Sequence, residues 1–136
     1  YRITSPNMTK FISLQEDFLH ALDRFREILG EEKSIIVRDA AIKRFEMVFD
    51  VAWKTTKAFL EENHNIACAS PRMCVREAFR VGLIPYDTEW LQLTAERNYT
   101  AHTYREALAE HIYTKLPKAL EMFEALAVAI RQEKAQ

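Results

Sequence analysis

Between residues 97 and 105 the chain reads Arg-Asn-Tyr-Thr-Ala-His-Thr-Tyr-Arg, its densest run of groups suited to a phosphodiester. Arginine presents a planar fork of donors to phosphate oxygens, and histidine takes or gives a proton near neutral pH. Arg97 and His102 are therefore the candidate catalytic pair, with Asn98 and Tyr104 as candidate positioning groups. On an unbroken helix Arg97 and Tyr104, seven apart, share one stripe. Asn98, His102 and Arg105 then occupy the next stripe, about 100° around. The β-branched Thr100 and Thr103 weaken that helix, and a bend there would bring Arg97 toward His102. Cleaving RNA calls for one group to activate a 2′-hydroxyl and another to protonate the leaving oxygen. A two-fold dimer would place two His102 and two Arg97 across one cleft, and it predicts inactive monomers. The plainer alternative is that these residues form surface ion pairs and a helix cap, because short spacings between common polar residues arise by chance.

The elements that must position this run are helical. Two glycines in 136 residues leave little material for the frequent turns of an all-β fold. The first helix is predicted from about Thr9 to Leu29, where Phe11, Leu14, Phe18, Leu22, Phe25 and Leu29 recur at three- and four-residue steps. Gly30 is expected to end it in a left-handed conformation. Residues 31–34 form a charged connection. A second helix is predicted from about Arg38 to Asn63 on the stripe Ile42, Phe45, Phe49, Trp53 and Phe59. Ser70 and Pro71 announce a short third helix with Val75, Ala78 and Phe79 inward, ended by Gly82. Asp87 caps a fourth, with Trp90, Leu91, Thr94 and Ala95 inward. A fifth runs from about Arg105 to Lys134, with a kink or interruption expected at Pro117. Short connections favour antiparallel neighbours, hence an all-α, up-and-down four-helix bundle with one extra short helix. One domain is expected over residues 8–134, Met8 being a plausible native start and residues 1–7 a disordered or appended segment.

The formal net charge of −1 argues against a general nucleic-acid coat, so contact with a polyanion would need a local cluster. No apolar run approaches the roughly 20 residues of a membrane span, and no secretory signal is visible. Cys68 and Cys74, five residues between them, match neither a C-x-x-C redox motif nor a zinc knuckle. They are expected reduced, and the compartment cytoplasmic. His20, His64 and His111 are expected to face solvent or cap helices, and no histidine spacing suggests a metal. Trp53 and Trp90 are expected as core or interface anchors rather than base-stacking platforms. Lys43, Arg44, Lys54 and Lys57 form a basic flank that Glu46, Asp50, Glu61 and Glu62 offset, which suits a solvated face or a salt-bridged interface. Trp53, Arg44 and Glu46 are the supporting residues expected at that interface.

Three separated motifs carry a resemblance. The segment from Ile42 to Thr55, Ile-Lys-Arg-Phe-Glu-Met-Val-Phe-Asp-Val-Ala-Trp-Lys-Thr, resembles the second helix of the nucleotidyltransferase substrate-binding protein family. Ser70-Pro71-Arg72, Arg76-Glu77-Ala78-Phe79 and Gly82-Leu83-Ile84 follow the same pattern, as do Arg97-Asn98 and His102-Thr103-Tyr104. The match is collinear from about Phe11 to Ile130. That family lies within the HEPN superfamily of helical bundles. The resemblance implies a homodimer and a companion minimal nucleotidyltransferase, the two acting as a toxin–antitoxin-like pair. It also implies a metal-independent RNase site at the dimer interface, carried here by Arg97, His102 and Tyr104, with no cofactor. In some such pairs the partner adenylylates the motif tyrosine, which would be Tyr104. The family label implies a second role, a non-catalytic subunit that presents a substrate or nucleotide to the nucleotidyltransferase.

Overall fold

The computed structural model describes residues 9–135, and within them the chain forms five α-helices and no strand. The expectations placed on residues 1–8 lie outside the described residues. Helix α1 spans Lys10–Leu29, α2 Ile35–His64, α3 Pro71–Arg80, α4 Thr88–Tyr99 and α5 Glu106–Ala135, with a single 3₁₀ turn at Thr100–His102 joining α4 toward α5. The all-helical bundle expected from periodicity is what forms.

Side-chain caps set three of the starts. Thr9, Ser34 and Ser70 accept hydrogen bonds from the backbone N–H of Ile12, Val37 and Met73. Helix α2 thus begins three residues earlier than its apolar stripe suggests. Ile35, Ile36 and Val37 resemble an extended run, but the serine before them supplies a donor-satisfying cap and decides the matter. At the other end Asn65 takes the left-handed conformation, φ 54°. Gly82 does the same after α3, φ 82°. Gly30 does not: its φ is −83°, and its N–H bonds back to carbonyls of the last turn, so α1 stops without a left-handed residue. Pro117 does not interrupt α5, because the ring is on the exposed side of a continuous helix. Water can then satisfy the carbonyl that lost its donor.

Helices α1, α2 and α5 share the main core. Phe25, Phe45, Phe49, Trp90 and Phe123 stack through it with ring centroids 5.6 to 6.4 Å apart. Phe11 and Phe59 extend it at 5.6 Å. The shorter α3 and α4 pack over α2. Three expected inward residues are displaced: Phe79 and Ala95 are exposed, and Leu93 rather than Leu91 is fully buried on α4. Both helices cover the core with a narrow face, so a one-residue error in phase shows.

Cys68 and Cys74 form a disulfide across six residues, Cα atoms 5.2 Å apart, which corrects the expectation of two reduced thiols. The spacing matches no motif in one dimension. Ser70 and Pro71 turn the chain into α3, however, and bring both sulfurs into the buried side of that corner. No helix among the described residues is long and apolar enough to cross a membrane.

Candidate functional site

The residues of the phosphodiester-suited run do not continue one helix. Helix α4 ends at Tyr99, the chain tightens into the 3₁₀ turn, and α5 begins afresh at Glu106. The two-stripe arrangement of an unbroken helix is therefore replaced by a corner. Thr100 is the reason. Its buried hydroxyl donates to the Arg97 carbonyl at 2.6 Å and accepts from Arg97 Nη1 at 2.9 Å, closing the end of α4 on itself. Thr103 Oγ1 donates to the Thr100 carbonyl at 3.1 Å and continues the corner. Sequence reasoning placed a bend here; it did not see that Thr100 holds the arginine as well.

Past the corner His102 and Tyr104 face each other. Their rings meet edge to face at 6.0 Å, with His102 Nδ1 3.4 Å from the Tyr104 hydroxyl. Tyr104 is 73% exposed, Arg105 lies over its ring at 6.0 Å, and His102, Asn98 and Tyr99 are open to solvent as well. A histidine and a phenol this accessible can meet a polymer without any rearrangement of the core.

Arg97 is held differently. Its side chain is 25% exposed, and Nε and Nη2 donate to the two carboxylate oxygens of Asp50 on α2 at 3.1 and 3.0 Å. That hydrogen-bonded pairing raises its pKa above the usual arginine value against partial desolvation, with the charges of Asp50 and Glu46 adding to it. An ion pair is thus part of the answer at Arg97, as the plainer alternative held. Asp50 was visible in the sequence only as a charge offsetting the basic flank, and nothing in its spacing points forty-seven residues ahead.

The three supporting residues act within the chain. Arg44 donates to the Arg24 carbonyl at 2.7 Å and ties α2 to α1. Glu46 lies 3.6 Å from Lys43 and adds negative potential toward Arg97. Trp53 is half-buried, and with Phe49, Trp90 and Cys74 it borders an apolar void of about 20 Å³. His64, in the last turn of α2, is partnered by Glu133 and edge-on to Phe59, and the exposed His111 lies 3.5 Å from Glu96.

One residue near the site escaped sequence reasoning altogether. Arg38, 2% exposed, donates to Glu106 and Glu110 of α5 at 2.7 and 3.0 Å and to neighbouring Asp39 at 3.0 Å. Glu106 is two residues beyond Tyr104, so Arg38 fixes the downstream end of the corner as Asp50 fixes the upstream end. The signal available was three acidic residues, one beside it and two at the start of α5, with no partner assigned.

The class so defined is an all-helical bundle whose α4–α5 corner presents a histidine and a tyrosine in contact at the surface, beside an arginine held against α2. Residues 10–132 match the family of nucleotidyltransferase substrate-binding-like proteins, and the chain belongs to it. It is 30% identical over 130 residues, 90% of this chain and 87% of the relative, to a Haemophilus influenzae protein named "Probable ribonuclease HepT". A Thermus thermophilus protein of known crystal structure is 35% identical with a TM-score of 0.80, covering 84% of this chain and 98% of that one. A second solved structure, from Haemophilus influenzae, is described as revealing the fold of a substrate-binding domain of a nucleotidyltransferase. It is 26% identical with a TM-score of 0.64, over 89% of this chain and 93% of that one.

Proposed function

We propose that this chain is a metal-independent endoribonuclease that works as a homodimer, the toxin-like member of a pair whose other member is a minimal nucleotidyltransferase. The observation that carries the reading is the corner: it leaves His102 and Tyr104 exposed and in contact, at the same junction that holds Arg97. The name of the 30%-identical relative supports it. In the proposed reaction one His102, neutral, takes the proton of a 2′-hydroxyl, and the freed oxygen attacks the adjacent phosphorus. The P–O5′ bond breaks, and the other protomer's His102, protonated, delivers its proton to the departing oxygen. Arg97 holds the charge that builds on the non-bridging oxygens. The products are a 2′,3′-cyclic phosphate and a 5′-hydroxyl. Adenylylation of Tyr104 by the partner would place bulk and negative charge against His102 and silence the site.

A second reading, a non-catalytic subunit that presents a nucleotide or acceptor to the nucleotidyltransferase, is favoured by the family's description and by the engagement of Arg97 with Asp50. Incubating the purified protein with RNA beside a His102→Ala variant separates the two. The nuclease reading expects cleavage to fall about 1000-fold in the variant. Equal cleavage, or none in either protein, leaves the binding subunit as the better reading.

A further inference from the structure

Arg97 carries five N–H donors. Asp50 takes one from Nε and one from Nη2, and Thr100 takes one from Nη1, so two remain unclaimed among the described residues, one on each terminal nitrogen. Asp50 occupies the side edge of the guanidinium, formed by Nε and Nη2. That edge offers two parallel N–H groups, and a phosphate oxygen pair would compete for it. A free arginine would take phosphate there and swing with it, since nothing else on α4 restrains the side chain beyond Thr100. With the side edge taken, an incoming phosphate meets the remaining donors on the terminal nitrogens, in an orientation set by α2.

We infer that Asp50 is a positioning residue for the cleavage reaction: it holds Arg97 so that only the terminal nitrogens face the scissile phosphate, giving up binding strength for orientation. The inference rests on the nuclease reading and adds to it a residue on a different helix, forty-seven positions away. Two features fit the role. Asp50 is 45% exposed, so its carboxylate is not needed to neutralise a buried charge. Arg97 is also held by Thr100, so the guanidinium is fixed both by α2 and by the 3₁₀ turn that follows its own helix. A carboxylate beside a phosphate-binding arginine repels the ligand, which is tolerable only if orientation matters more than affinity in the transition state.

The test measures kcat and KM for a single-stranded RNA on the full chain, and Kd for the same RNA in a His102→Ala background. It compares the wild type with Asp50→Asn, Asp50→Glu and Arg97→Ala. Asp50→Asn is expected to lower kcat about 10- to 100-fold while KM and Kd stay level or tighten. Asp50→Glu, one methylene longer, should recover most of the loss. Arg97→Ala should weaken both kcat and Kd. An Asp50→Asn protein with wild-type kcat overturns the inference, as does one whose kcat falls while its Kd for RNA rises. If the wild type does not cut RNA, the nuclease reading fails first. The orientation claim is then judged on the Arg97 Nε–H resonance by NMR, which must move in Asp50→Asn, and an unmoved resonance overturns it.

Discussion

Arg38 and Arg97 are both clamped across helix contacts by carboxylates, and α2 takes part in each pair, yet the two guanidinium groups live in opposite conditions. Arg38 belongs to α2 and is covered to 2% exposure beneath Asp39, Glu106 and Glu110, carboxylates that are themselves wet, Glu106 being 71% exposed. Arg97 reaches α2 from α4, has a single carboxylate partner, and keeps a quarter of its side chain in solvent. The first is saturated with acceptors. The second has donors to spare. On α2 the contact points, residues 38 and 50, lie twelve residues apart, about 18 Å along the axis, and the corner of residues 100–105 is suspended between them. Saturation suits a strut, and an incomplete set of partners suits a site.

The difference is sharpest under substitution. Arg97→Ala should cut RNA cleavage about 1000-fold while changing the melting temperature by only a few degrees, because a half-exposed ion pair contributes at most about 1 kcal/mol. Arg38→Ala should do the reverse in kind. It removes several charge-assisted hydrogen bonds at once and should lower stability by about 3 kcal/mol, seen as a drop of about 10 °C in thermal unfolding. If Arg97→Ala melts as low as Arg38→Ala, the division into strut and site is wrong.

The same comparison has a pH signature. Arg38 hydrogen-bonds Glu106 and holds its carboxyl below the usual range, and Lys33 followed by Arg38 does so for Glu110. A depressed folded-state pKa contributes stability above the unfolded value, about 4.3, and that stability is lost as pH falls through the folded value. Melting temperature should therefore drop as the solution is taken from pH 5 toward pH 3, and Arg38→Met should flatten part of that slope. The Arg97 pKa is raised, so its contribution is fully present below the usual arginine range and vanishes only at still higher pH. Between pH 5 and 9 it should leave stability level. A smaller effect is expected at Thr100. Thr100→Val deletes both hydroxyl contacts, should lower stability by about 1 kcal/mol, and should loosen Arg97 enough to reduce cleavage severalfold. A Thr100→Val protein with unaltered kcat would show that Asp50 alone orients the guanidinium.

Much of this protein follows from short-range rules, and those the sequence by itself determined. The phenylalanine stripes of α1 and α2, the serine caps at residues 34 and 70, the proline at the first position of α3 and the weak point at Thr100 are all local signals. Helix formation answers to residues three and four apart, so α1, α3 and α5 could be placed to within a residue or two. Arg97, His102 and Tyr104 could be singled out as candidates for the same reason: they are close in the chain. What only the tertiary structure decided are the long-range partners. Asp50 meets Arg97, and Arg38 meets Glu106 and Glu110. Each of these depends on how two elements cross, and an exposed carboxylate or a lone arginine reads alike in sequence whether it faces water or a partner. Charge pairing is weak per contact and carries no periodicity, so the hydrophobic packing that sets helix crossings has to come first.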